Sequence, residues 1–521
     1  MLEQRKIKVS LPELLYLCFV IVMLFAKGIG LYDGLFLYKL FLVVALGIIA
    51  MKMCVTKHTL KEWALMILGC LLVTVLYLNC KEKGIVICTL VVLAMKEVSL
   101  DRVFKVGMWT WGITMFGNII YHLINLDASG YKVHEKLGLG HIFRWDLGFS
   151  HPNVLHISYL ALAAFIIYNL GEKYNWKYML LLMAGNLFIF LYSVSYTGIL
   201  VTTLYLGMAW YVSVRKRLCR IEYLLLELVF PVCLFLSFFS ALFLPEKIFQ
   251  IMNKVFSNRL ILARYYLVPE KIKLWGNNLE QITTSMYTLD NAYLFSFIIY
   301  GILFFVIIVF SYLILIHKFI KMKRNKELVI IVCFLIAGVT EPFLFNTSFK
   351  NLTLFFIGSF LWQSVLSNNG LNEGFVILPK LRYEWVVDVT KLYALKENVL
   401  LVWKNKWKKM VFVSGIVALL IGAIYSINIE MPKGYIMPRI HVAVAEQEKN
   451  LWCLDNPYAS QYDEIKILDY IDNKTYMYFC DGNIVIMERF RMCVSSIFIS
   501  WIFLLGICMI IMIYKSQRKI K

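Results

Sequence analysis

The sequence predicts an all-α polytopic membrane protein with about 14 transmembrane helices and a small external α/β or β ectodomain near its C-terminus. Three observations predict it. Hydrophobic residues make up 60% of the chain and charged residues 17%, with a mean hydropathy of +0.71, well outside the range of soluble globular proteins. Apolar segments long enough to cross the roughly 30 Å hydrocarbon layer recur along almost the whole length. The loops between them alternate between lysine- and arginine-rich and lysine- and arginine-poor, as in a chain threaded back and forth across a bilayer.

The spans are expected near 11–31, 34–51, 62–78, 84–95, 103–125, 152–170, 178–192, 197–213, 222–244, 291–316, 327–344, 351–366, 410–427 and 494–514. With the N-terminus inside, the short inner segments carry 24 lysines and arginines and the short outer loops six. Both termini are therefore expected in the cytoplasm. The formal charge of +20 then follows from topology and attraction to anionic lipid, and no nucleic-acid partner is needed. The basic N-terminal stretch leads into an apolar run with no small-residue cleavage pattern, so the first helix is expected to stay as an anchor. Of the 12 cysteines, Cys18, Cys70, Cys88, Cys233, Cys333 and Cys508 fall within spans and read as small apolar fillers. Cys453 and Cys480 share one external segment and are candidates for a disulfide, although spacing does not fix pairing. No CxxC or His-x-x-x-His pattern suggests a metal, and no cofactor is expected.

The chain divides into a polytopic core, 1–366, with a large external loop at 245–290; a cytoplasmic linker, 367–409; and a two-span module, 410–521, whose external segment is 428–493. In that segment YIDNKTYMYF, a CDGN turn and IVIMERF are expected to form a hairpin.

Two passages expected on the outer side concentrate the polar chemistry: FRWDLGFSHPN, from Phe143 to Asn153, and SNRLILARYYLVPEKIKLWG, from Ser257 to Gly276. In the first, Arg144, Asp146, His151 and Asn153 crowd one membrane edge, and Pro152 marks the start of a helix that Ser150 or His151 can cap. In the second, Arg259 and Arg264 suit a phosphate, because arginine makes planar bidentate contacts with phosphate oxygens. A lipid headgroup and a substrate pyrophosphate both meet that description. The two arginines are five residues apart, about 500° around a helix, so they flank one site only if the helix breaks near Pro269. Asp290 and Asn291 open the tenth span, where Asp290 is placed either as a cap or as a base. Glu341, at the outer end of the eleventh span, is an ionisable group at membrane depth and is expected to face a cavity or a partner.

With these residues in view, the chain resembles the O-antigen polymerase-like family, the repeat-unit polymerases of capsular polysaccharide and exopolysaccharide synthesis, particularly those of Gram-positive bacteria. Arg144 to Asn153 matches the family's R-x-x-x-GFSHPN segment. Asn258-Arg259, Leu274-Trp275-Gly276, Asp290-Asn291-Ala292-Tyr293, Gly301, Glu341 and Asn351 extend the match over residues 10–366. Two departures stand out. Ser195-Tyr196-Thr197-Gly198 carries Tyr where the family commonly has Arg, and Asp290-Asn291, nine intervening residues ahead of Gly301, stands where related ligases carry His-Asn.

The resemblance implies metal-independent glycosyl transfer on the outer face of a bacterial plasma membrane. The donor is a polyprenyl-pyrophosphate-linked oligosaccharide and the product a growing glycan, with membrane lipid, a flippase and a chain-length regulator as partners. In that scheme Arg259 and Arg264 stabilise the departing pyrophosphate, and His151 or Asp290 takes the acceptor proton. His151 is preferred on its ordinary pKa, about 6.5. Arg144, Asn153, Asn291 and Glu341 bind substrate. A glycan ligase of the O-antigen-ligase type and a lipid-linked oligosaccharide flippase or polysaccharide exporter are the alternatives. A transporter is expected to line a mid-membrane cavity with charge, whereas here the charges gather at one edge.

Overall fold

The computed structural model describes all residues except 1–5, 126–127, 137–139, 216, 257, 283–288, 366–373, 429–433, 437–466, 473–474, 480–481 and 519–521. Its helices are α1 (Leu11–Gly28), α2 (Phe36–Val55), α3 (Leu60–Cys80), α4 (Gly84–Leu93), α5 (Leu100–Ile124), α6 (Pro152–Leu170), α7 (Trp176–Ser193), α8 (Tyr196–Arg215) and α9 (Arg220–Leu242). There follow α10 (Glu246–Val255), α11 (Arg259–Tyr266), α12 (Leu279–Ile282), α13 (Ala292–Ile299), α14 (Gly301–Lys321), α15 (Asn325–Gly338), α16 (Thr353–Phe360), α17 (Thr390–Asn428) and α18 (Gly482–Arg518). The strands are β1 (Lys6–Ser10), β2 (Tyr131–Lys136), β3 (Gly140–Trp145), β4 (Glu384–Asp388), β5 (Gly434–Ile436), β6 (Ile467–Asp472) and β7 (Thr475–Phe479).

Among the described residues, ten helices are long and apolar enough to cross a membrane: α1, α2, α3, α6, α7, α8, α9, α14, α17 and α18. The chain is thus a predominantly helical, multi-pass membrane protein. Ten of the expected fourteen spans meet that length and apolarity among the described residues. Gly84–Leu93 and Thr353–Gln363 are shorter apolar helices. α15 has 14 residues, and α5 is diluted by Trp109, Trp111, Asn118, Tyr121 and His122.

The chain forms two compact units, one of Met1–Ile7, Leu123–Trp145 and Val387–Lys521, the other of Lys8–His122 and Asp146–Val386. In the first, α17 packs along α18, and Gly422 leaves no room for a Cβ beside Ile497. β2 and β3 form an antiparallel hairpin with Lys132 opposite Arg144. It is tied to α18 by Trp145, whose indole donates to Glu488 at 2.8 Å, and by Arg491, which donates to the Phe143 carbonyl at 2.9 Å and pairs with Glu488. The expected C-terminal hairpin is corrected: β6, which starts at Ile467 ahead of YIDNKTYMYF, pairs antiparallel with β7, in a sheet ordered β5-β7-β6. IVIMERF is helical instead, forming the first turns of α18. Cys453 and Cys480 lie outside the described residues.

The second unit is built around α15. Leu328 to Leu335 are all buried, including Val329, Ile331, Val332 and Phe334, so this helix is apolar all round. It packs against α6, α8, α9, α14 and α16.

The tenth expected span, 291–316, is broken in two. α13 ends at Ile299, and Gly301, the first residue of α14, turns the chain with φ +86°. The backbone groups freed by the break are taken up by the Lys273–Asn277 loop. Asn277 N–H donates to the Ile299 carbonyl at 3.0 Å, Ile302 N–H to Lys273 at 3.2 Å, and the Asn277 side chain to the Ile298 carbonyl at 2.8 Å. Gly276, at φ +81°, sits so close that a Cβ on it would lie 2.0 Å from the Ile299 carbonyl oxygen, and one on Gly301 2.4 Å from the Gly276 nitrogen. A non-glycine residue in that conformation costs about 1–2 kcal/mol before the overlap is counted. Gly276→Ala and Gly301→Ala are each expected to destabilise the detergent-purified protein by about 1–2 kcal/mol or more, seen as a lower thermal unfolding midpoint. Gly207→Ala, where a Cβ meets nothing within 4 Å, is the control expected to hold or raise it.

Candidate functional site

Four chain segments of the second unit meet at the end of α15. Pro342 disfavours helical backbone at the residue before it, so the chain leaves the helix and Glu341 is extended, with φ −140° and ψ 135°. Its carboxylate is 9% exposed and caps no helix. Oε1 accepts from Arg259 Nη2 at 3.0 Å and from Asn153 Nδ2 at 2.8 Å. Arg259 is the first residue of α11, behind Asn258 in the left-handed region at φ +65°, a conformation asparagine tolerates better than most residues. Its Nε faces Asp290 Oδ2 at 3.5 Å, and Asp290 is the more accessible carboxylate, 34% exposed. One guanidinium is therefore bracketed by two carboxylates. Its Nη1 donates no hydrogen bond among the described residues.

The caps fall to other residues than expected for Asp290. Asn291, not Asp290, caps α13: its Oδ1 accepts from Tyr293 N–H at 2.9 Å and Leu294 N–H at 3.0 Å. Its Nδ2 donates to the Val339 carbonyl at 2.8 Å and to Ser237 at 2.9 Å, so one amide serves the start of α13 and the end of α15. Asp290 is left free to face the arginine. His151 caps α6, with Nδ1 accepting from Asn153 N–H at 3.0 Å. That bond occupies the Nδ1 lone pair and, in the neutral ring, puts the proton on Nε2.

Arg264 does not join Arg259. It donates to the Ala241 carbonyl at 3.0 Å, stacks 3.6 Å from the Phe249 ring centroid and reaches Glu246 at 3.4 Å, fastening α11 to α9 and α10. The helix does break by Tyr266, before Pro269, but five residues of rotation already send the two side chains to different neighbours. Arg144 belongs to β3, in the other unit. Ser195-Tyr196-Thr197-Gly198 folds over His156, a buried histidine that sequence reading passed over; its ring bonds Ser193 at 3.0 Å and Asn186 at 2.8 Å. Among the described residues no group of three His, Cys, Asp or Glu side chains is placed to hold a metal ion.

Sequence reading also passed over Lys350, in the turn before α16. It is 4% exposed, burial lowers its pKa to about 7, and the Glu341 charge only partly opposes that fall. The cluster can grip an oxyanion with Arg259 and take up a proton on a carboxylate beside it.

Removing Glu341 strands a mostly buried guanidinium. Glu341→Ala is expected to cost up to about 3–5 kcal/mol, moderated by Asp290, whereas Glu341→Ala combined with Arg259→Met is expected to cost less than the single change. Thermal unfolding of the three variants checks this. Lys350 binds fewer protons folded than unfolded between about pH 7 and its ordinary 10.5, so its contribution to stability rises with pH across that window. Unfolding midpoints measured from pH 7 to pH 10 are expected to climb more steeply in the wild type than in Lys350→Met.

No protein-family model, curated protein or solved structure matches the chain.

Proposed function

We propose that the chain is a glycosyltransferase of the bacterial plasma membrane. It polymerises polyprenyl-pyrophosphate-linked oligosaccharide repeat units into a surface polysaccharide on the external face, with both termini in the cytoplasm. The observation that carries the reading is Arg259, held between Asp290 and Glu341 with Nη1 uncommitted, at the end of a buried helix. The bond between the anomeric carbon and the pyrophosphate oxygen breaks as an acceptor hydroxyl attacks, and its proton goes to a base. Arg259 meets the charge that develops on the leaving pyrophosphate, a preorganised contact worth about 2.7–4 kcal/mol. Asp290 suits the base better than His151, because it is partly exposed beside Arg259 while His151 spends its Nδ1 lone pair on the helix cap. Glu341, itself held by Asn153, orients the guanidinium, and Arg264 is a fastener rather than a partner in charge stabilisation.

The growing glycan and membrane lipid are the partners this reading requires, with a flippase to deliver repeats and a chain-length regulator to stop growth. Arg259→Ala is expected to leave single lipid-linked repeats on the outer leaflet and to abolish long chains, resolved by gel or mass spectrometry of extracted lipid-linked glycans. Arg264→Ala is expected to keep a chain-length ladder if the protein folds. Repeats trapped on the inner leaflet would instead identify a flippase, and full-length lipid-linked polymer that is never attached would identify a ligase. An unchanged ladder in Arg259→Ala would end the reading.

A further inference from the structure

A second group of charges lies beside Glu341, and two of its members form no ion pair among the described residues. Lys27, in the last turn of α1, and Lys350 are 5% and 4% exposed. Lys27 Nζ sits 3.6 Å above the centroid of Tyr38, and the Tyr38 hydroxyl donates at 3.2 Å to the Thr347 carbonyl, in the same turn as Lys350. Among the described residues neither ammonium donates a hydrogen bond or forms an ion pair. The nearby acids are committed elsewhere: Asp33 to Lys83 at 2.8 Å, Glu341 to Arg259 and Asn153, and Glu82 is pushed towards its neutral form by burial and by Asp33. The Lys350 charge opposes that of Lys27, and the Asp33 charge offsets it only in part. Burying one unpaired ammonium costs several kcal/mol, and a neighbour of like sign adds to that.

We propose that Lys27 and Lys350 form an anion subsite, separate from Arg259, that takes the phosphate or pyrophosphate group of a lipid. A doubly charged tetrahedral group supplies both missing countercharges and accepts from both ammoniums, a role lysine fills as a point charge. Beside Tyr38 the outer face of α2 exposes Phe36, Leu37, Leu40, Val43 and Val44, an apolar track for the tail of the same molecule. The phosphate has two sources, a bilayer phospholipid and a polyprenyl phosphate carrier. Nothing in the subsite depends on the glycosyl-transfer reading.

The test uses the full chain in phosphatidylcholine nanodiscs, with binding of polyprenyl phosphate, phosphatidylglycerol and phosphate-free polyprenol measured by native mass spectrometry. Lys27→Met and Lys350→Met are each expected to weaken binding of a phosphate-bearing lipid by about 10-fold or more, while the polyprenol is unaffected. Unfolding midpoints near neutral pH are expected to hold or rise, because an uncompensated buried charge has been removed. Stronger binding of phosphatidylglycerol assigns the subsite to the bilayer, and stronger binding of polyprenyl phosphate to a carrier. Unchanged affinity for both phosphate lipids, an equal loss of polyprenol binding, or lost binding accompanied by a fall of several degrees in the midpoint would overturn the proposal. Arg259→Ala in the same assay is expected to retain binding at the lysines, so failure of the catalytic reading leaves this result standing. Either lysine variant alone carries the test should the other not fold.

Discussion

The candidate site depends on one desolvated carboxylate. α15 is buried on every side, so whatever follows its last turn starts out among apolar neighbours, and the residue placed there is Glu341. An ion in that position persists only with a matched countercharge and full hydrogen bonding. Arg259 and Asn153 supply both, and in doing so they bring the starts of α11 and α6 to the end of α15. Asp290 then completes the bracket around the guanidinium from the residue just ahead of the α13 cap.

The helix ends that create this meeting are themselves stabilised by close backbone contacts. α13 stops after eight residues, and the groups its end exposes are satisfied by the Lys273–Asn277 loop, which reaches them because Gly276 and Gly301 carry no Cβ. Asn291 joins the start of α13 to the last carbonyls of α15. Interrupted helices at membrane depth are tolerable only where the freed polar groups find partners, and here those partners also fix the position of Asp290. The site therefore rests on helix ends tied together by these hydrogen bonds.

Much of this was legible in the residues. Glu341 is expected to need a partner because of its depth, Arg259 is marked by its place in the polar passage, and Gly276, Asp290, Asn291 and Gly301 stand out as anchors in the resemblance to the polymerase family. Arg264 and His151 were read with more chemistry than their geometry supports. Arginine type says nothing about which carbonyl or ring lies in reach, and Arg264 finds Ala241, Glu246 and Phe249. His151 sits before Pro152 at a helix start, where capping competes with catalysis for the same lone pair. Lys27 and Lys350 were not legible as a pair, because one reads as a residue at the end of the first helix and the other as a loop lysine.

By itself the sequence determined that this is a multi-pass helical membrane protein, since hydrophobic length and the avoidance of charge are local, additive properties of a segment. Tertiary structure decided where the tenth span breaks, that β6 pairs with β7 while IVIMERF joins a helix, and which charges share a partner. Those outcomes depend on desolvation and pairing between residues such as Arg259 and Glu341, 82 positions apart. Such terms arise only when distant segments meet, and local periodicity carries no record of them.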